Sequence, residues 1–124
     1  MRRLFWMIVV VAAATAGLRQ VIAQTQPSAP QAETFAIIYQ PGPNWIKGRS
    51  IYDQDLYAHG QYMAKLLEQS HLQLGGPFSD SSGGMAIITA KDADEAASIL
   101  KNDPSIAKGV FVATVRPWDV VFRK

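Results

Sequence analysis

The sequence predicts an α+β domain, and three observations predict it. Four short runs rich in β-branched and aromatic residues are spaced along residues 34–124. Two longer stretches with helical signals separate the first run from the second and the third from the fourth. Glycine, proline and aspartate cluster between the runs, where the chain must reverse. The resulting order, β-α-β-β-α-β, is the split βαβ or ferredoxin-like arrangement: a four-stranded antiparallel sheet with two helices on one face. Two helices leave the other sheet face uncovered, and pairing of two copies would bury it, so a homodimer of the dimeric α+β barrel type is expected.

The elements follow in order. Thr34–Tyr39, "TFAIIY", reads as the first strand, and Pro41, Gly42 and Pro43 end it in an irregular loop. From Ile51 to Gln69, Tyr52, Leu56, Met63, Leu66 and Leu67 recur at helical spacing, which predicts a first helix with those residues on one stripe. "HLQLGGPF" and "MAIITA" read as the second and third strands, joined by "SDSSGG". Pro77 cannot donate to a ladder, which predicts an edge strand or a strand end. Gly83-Gly84 suits a tight reversal, and Gly75-Gly76 allows a backbone or ligand to come close. In "KDADEAASILKND", Asp92 is the expected N-cap with Glu95 three residues on, and Ala93, Ala96, Ala97 and Leu100 the expected packed face. Pro104 disfavours helical geometry at Asp103 and should stop the helix there. "VFVATVRPWDVVF" supplies the last strand and a C-terminal extension.

The N-terminal segment reads as an address. Arg2 and Arg3 precede the apolar run "LFWMIVVVAAATAGL", and Val21-Ile22-Ala23 offers a cleavage position. That pattern predicts a signal peptide over residues 1–23 and a periplasmic or secreted protein without membrane attachment after cleavage. Arg19 is atypical there, and an uncleaved anchor or a misplaced start are the competing readings. Residues 24–33, "QTQPSAPQAE", are a flexible linker, since nothing in them can bury a core. The domain then occupies residues 34–124.

Composition removes several function classes. The sequence has no cysteine, which excludes disulfides, thiolate metal sites and a cysteine nucleophile. Its two histidines cannot build a multi-histidine metal site, and no phosphate-cradle, dinucleotide or nucleophile-elbow motif is present, so no metal or cofactor is expected. Arg2, Arg3 and Arg19 account for the basic excess. From Gln24 onward there are 9 basic and 10 acidic residues, a net charge of −1, with no basic patch for nucleic acid.

His59 is the chief candidate for chemistry. It falls three residues after Leu56 and four before Met63 on the stripe of the first helix, beside the glycine-proline loop. There it is either a core histidine with satisfied nitrogens or a proton donor and acceptor at the edge of a pocket. A base needs an orienting carboxylate. Asp103, Asp80, Asp53 and Asp55 are the candidates, each with a plainer reading as a cap, an Asx-turn or a helix-start charge. Asp55 is four residues from His59, within helical reach. His71 is expected to be exposed at the helix exit. Gly76, Pro77, Phe78 and Asp80 are the candidate ligand pocket, and Trp45, Phe78, Phe111 and Trp118 could stack a planar ligand or pack the core or a dimer interface.

Several of these segments together carry a family resemblance. "HGQYMAKLLEQSHLQLGGPF", "GGMAII", "DADEAASIL", "DPSIAKGVF" and "VRPW" closely resemble the YCII-related (YciI-like) domain over roughly Phe35 to Phe122. The resemblance implies a ferredoxin-like fold, a dimer and a histidine–aspartate centre. His59 matches the family histidine, Asp103 matches the aspartate of its "DP" motif, and Gly76-Pro77 match its "GP". Two departures stand out. The arginine that many members carry shortly before the histidine is missing from "YDQDLYA", and Ser70 stands where a glycine is usual. Activity in the family is largely unassigned. Related domains include an enzyme of chlorinated muconolactone-type products, and muconolactone isomerase shares the architecture. The resemblance therefore implies proton transfer on a small organic acid or lactone by a His59–Asp103 pair. The alternative is a non-catalytic, dimeric module that binds a small apolar ligand and uses His59 as an anchor.

Overall fold

The structure, a computed structural model, describes residues 31–124. The expected signal segment and most of the expected linker lie outside the described residues. The domain runs β1 (Glu33–Pro41), a 3-10 turn (Ile51–Asp53), α1 (Tyr57–Glu68), β2 (Leu72–Pro77), β3 (Gly84–Ala90), α2 (Ala93–Lys101), α3 (Pro104–Ala107) and β4 (Phe111–Pro117). The sheet order is β2-β3-β1-β4 with every pairing antiparallel, as the split βαβ order requires. β2 lies at an edge, and Pro77 ends it, so its missing N–H interrupts no interior ladder.

Alternation along β1 sorts the two faces of the sheet. Phe35, Ile37 and Tyr39 are buried toward the helices, and register puts Ile88, Ala86 and Gly84 of β3 beside them. Leu66 of α1 and Ala96 and Ile99 of α2 close that core. On the far face, Ile38 pairs in register with Met85, and Gln40 with Val112. Met85, Val112 and Leu74 of β2 are all exposed.

The helices depart from expectation in three places. The first helix begins at Tyr57, not near Ile51. Ser50 caps a 3-10 turn through a bond from the Tyr52 N–H, and Gln54 then turns extended, so Tyr52 falls off the helical stripe and is 85% exposed. Leu67, also expected on that stripe, is exposed, whereas Leu66 is buried and Tyr62 packs against the core. In α2, Ala96 and Ile99 are buried with Leu100 packed beside them, while Ala93 and Ala97 face solvent. Alanines on several sides of a short helix carry little directional signal, and the larger Ile99 and Leu100 decide its orientation. The N-cap is as expected. Asp92 Oδ1 accepts from the Glu95 N–H at 2.8 Å, and Glu95 reaches back to the Lys91 N–H at 2.7 Å.

The third departure lies around Pro104. It stops α2 with Asp103 in extended geometry, and its fixed φ then starts α3, with Asp103 as N-cap. A third, one-turn helix is thus added to the two expected. Gly83, at φ 139°, makes the β2–β3 reversal, where a Cβ would collide with the Tyr39 carbonyl.

Candidate functional site

α1 and α3 bring together a histidine and an aspartate 44 residues apart. His59 Nδ1 lies 2.8 Å from Asp103 Oδ2 and 3.0 Å from Oδ1. The Asp103 side chain is fully buried, while that of His59 keeps 18% of its surface exposed. Four donors converge on this carboxylate. Tyr39 Oη donates to Oδ2 at 3.0 Å, the Ser105 N–H and Oγ–H donate to Oδ1 at 2.9 and 2.8 Å, and His59 contributes the fourth. Burial works to raise the Asp103 carboxyl, but the bonds from His59 and Ser105 outweigh it and hold the group below the usual carboxylate range. An ionised carboxylate only accepts, so Nδ1 carries a proton, and in the neutral form of the ring Nε2 keeps its lone pair. Burial, and then the nearby Asp103 charge, push the Tyr39 phenol far above its ordinary range, which keeps it a neutral donor.

Local sequence explains this geometry. Asp103-Pro104-Ser105 is an N-cap, a proline at the first helical position and a residue whose N–H the cap accepts. Capping therefore holds the carboxylate by contacts that do not involve His59. The plain reading of Asp103 as a cap and the functional reading as a partner describe the same side chain. Tyr39 and Phe111 flank the imidazole edge-on, with ring centroids 5.3 and 5.5 Å away.

The ring opens into a pocket of about 540 Å³ between α1 and the β2–β3 edge. Leu56, Tyr57, Gly60 and Met63 join His59 on the helix side. Leu72, Gly75, Gly76 and Pro77 form the β2 side, and Ile51, Tyr52 and Gln54 form the mouth. The Gln54 side chain accepts from the Ile46 N–H at 2.8 Å and donates to the Ile46 carbonyl at 3.0 Å, which braces the mouth loop.

The other sequence candidates divide. Gly76 and Pro77 line the pocket, but Phe78 and Asp80 do not, because the chain turns away past the end of β2. Asp80 makes the Asx-turn instead, accepting from the Ser82 N–H at 2.9 Å. Asp55 is drawn off by Lys108 Nζ at 3.0 Å, and Asp53 sits in the 3-10 turn. Of the aromatic candidates, Phe111 lines the pocket and Trp45 stacks near it, ring centroids 5.7 Å apart, whereas Trp118 is exposed. His71, expected to be exposed, is half-buried and donates from Nδ1 to the Thr89 carbonyl at 2.9 Å. Tyr39 and Ser105 are the members sequence reasoning missed. The inward alternation of Phe35, Ile37 and Tyr39 and the Asp-Pro-Ser cap pattern were the available signals.

Ser105 does not turn the pair into a nucleophilic triad. Its hydroxyl is 3.5 Å from Nδ1, the nitrogen that Asp103 already holds, and is committed to Asp103 Oδ1. Among the described residues no three His, Asp or Glu side chains gather as a metal site would need, and no helix is long and apolar enough to cross a membrane.

Comparison with known proteins bears on the family and the fold. The uncharacterized protein YjpA of Bacillus subtilis (strain 168) is 37% identical over 60 residues, which span 48% of this chain and 71% of that protein. Among solved structures, the chain is similar to 5-chloro-2-hydroxyhydroquinone dehydrochlorinase (TftG) from Burkholderia phenoliruptrix AC1100, in complex with 2,5-dihydroxybenzoquinone. The TM-score is 0.55 at 29% identity, over 69% of this chain and 93% of that one. The YCII-related domain model matches residues 34–119, from the start of β1 to just past β4. With the match covering the whole sheet, all three helices and both members of the His59–Asp103 pair, the chain belongs to the YCII-related domain family.

Proposed function

We propose that this protein is a small acid–base enzyme in which His59 moves a proton at Nε2 and Asp103 holds the ring. The observation that carries the reading is the pairing itself: Nδ1 is tied to a buried, ionised carboxylate while the ring borders a pocket. In that state Nε2 accepts a proton from a bound small molecule, and the imidazolium formed is stabilised by Asp103. The electron pair left behind either shifts a double bond, as in isomerisation, or expels a leaving group as an anion, as in elimination. The sequence reading named a small organic acid or lactone as substrate. The likeness to a dehydrochlorinase supports the elimination branch, in which the proton passes to His59 and chloride leaves.

The test offers the purified protein a panel of chlorinated hydroxyhydroquinones and small lactones, reading chloride release and deuterium uptake from D2O. Turnover or exchange that falls at least a hundredfold in His59→Ala supports the reading. An unchanged rate in His59→Ala contradicts it. A panel that is bound but neither turned over nor exchanged leaves the ligand-binding module as the function.

Two further parts belong to this proposal. The exposed far face of the sheet, with Leu74, Met85 and Val112, supports a homodimer, and light scattering on the eluted protein reads its mass directly. The Arg2-Arg3 start and the apolar run after it support export to the periplasm or beyond. N-terminal sequencing of the exported protein should then begin near Gln24, and a retained Met1 would contradict cleavage.

A further inference from the structure

The pocket holds a selection rule that the acid–base reading does not use. Among the described residues that line it, none is lysine, arginine, aspartate or glutamate. His59 offers no uncompensated positive charge, because the neutral ring has none and a protonated ring is paired with Asp103 at 2.8 Å. The amino end of α1, where Leu56 provides no side-chain cap, adds only about half a unit of charge. A carboxylate entering this apolar space would lose water without gaining a full counter-charge. A phenolic or quinone oxygen carries a partial charge and avoids that loss.

Shape points the same way. Gly60 follows His59 directly and lies four residues after Leu56 and three before Met63, so it shares their face of α1, and all three line the pocket. A Cβ at Gly60 would meet no atom within 4 Å. Glycine inside a helix costs stability, about 1 kcal/mol against alanine, and nothing in the packing requires it here. On the opposite wall Gly75 again carries no side chain, and a Cβ there would lie 3.3 Å from the Met85 carbonyl oxygen and 3.4 Å from Ala86 Cβ and Leu72 Cδ1, so strand packing itself keeps this wall bare. Two bare stretches of backbone thus face a common space beside the imidazole. Tyr52 and Tyr57, 85% and 78% exposed, also line it, and their ring faces can meet a ligand, although the Tyr57 hydroxyl already accepts from Gln61 Nε2 at 3.2 Å.

We infer that the pocket takes a flat phenolic ring without a carboxylate, seated against Gly60 with a ring oxygen at His59. This rests on the acid–base reading for the role of Nε2, but the selection is a matter of binding and is measured without turnover. Hydroquinone and 2,5-dihydroxybenzoate form a matched pair that differs by one carboxylate. Titration calorimetry and thermal shift on the full mature protein, under nitrogen, compare the two rings. Hydroquinone should bind at least tenfold more tightly than the acid. Gly60→Ala should raise the melting temperature of the free protein while weakening hydroquinone several-fold, and Gly60→Leu should remove binding. Equal or tighter binding of the acid, failure of both rings to bind, or hydroquinone binding unchanged in both Gly60 variants would each overturn the inference. If the acid is preferred and turned over through His59, the acid–base reading stands and only the ring selection falls. If hydroquinone binds as stated yet His59→Ala changes no rate, the selection stands and the catalytic reading falls.

Discussion

His59 Nδ1 and Asp103 Oδ2, 44 positions apart in the chain, meet at 2.8 Å, and the aspartate is held on its other side by the cap it gives to α3. A carboxylate fixed by backbone geometry has little freedom to turn away from the imidazole. Orientation of His59 is therefore a property of the fold, not of the ligand.

Replacing Asp103 tests that orientation. Asp103→Asn keeps the shape but removes the charge that stabilises an imidazolium. Turnover should fall about 10²- to 10⁴-fold by analogy with other oriented bases, while binding of an uncharged ring changes little. Steady-state kinetics beside calorimetry separates the two effects, and equal losses in both would argue for a merely structural aspartate.

The same carboxyl predicts an acid limb in stability. Its folded pKa is depressed, so the folded state binds fewer protons, and the stabilisation is full above the ordinary value near 3.8. It is lost as pH falls through the folded value. Urea midpoints measured from pH 6 downward should drop below about pH 4, and Asp103→Asn should flatten that drop.

Tyr39 predicts the opposite limb. Its folded pKa is raised, so its contribution is intact below the ordinary phenol value near 10 and is lost as pH climbs above it. Tyr39→Phe should flatten the alkaline decline. Losing one of four donors to Asp103 should also cost about 1 kcal/mol at neutral pH, read from denaturant midpoints.

Ser70 gives a stability prediction independent of the site. α1 ends in a Schellman motif, with the His71 N–H on the Leu66 carbonyl at 2.9 Å and the Ser70 N–H on Leu67 at 3.1 Å. That motif puts Ser70 at φ 62°, a conformation glycine adopts without a Cβ penalty. Ser70→Gly should stabilise the domain by about 1 kcal/mol, seen as a melting temperature higher by a few degrees. No gain would mean that the Ser70 side chain repays its strain by contacts of its own.

Local signals made the fold readable. The β-branched and aromatic run of β1, the Pro77 edge, the Asp92 cap and the Pro104 break each depend on neighbours in sequence, and each appears in the structure. What failed depended on competition between weak local signals. Tyr52 kept helical spacing, but Ser50 and Gln54 bound a separate turn. The site was legible only in part for a related reason. Asp55 was closer to His59 in sequence, yet Lys108 captures it from 53 residues away. Tyr39 reaches Asp103 across 64 positions, and alternation along β1 can turn its ring inward but cannot name its partner.

The tautomer of His59 tests the central claim most directly. Long-range proton–nitrogen correlation spectra of 15N-labelled protein, above the pH at which the imidazole is charged, distinguish the two ring nitrogens. The account predicts a proton on Nδ1 and a bare Nε2 in the wild type, with this preference lost in Asp103→Ala. A wild-type ring protonated at Nε2, or one unmoved by the loss of Asp103, would contradict it.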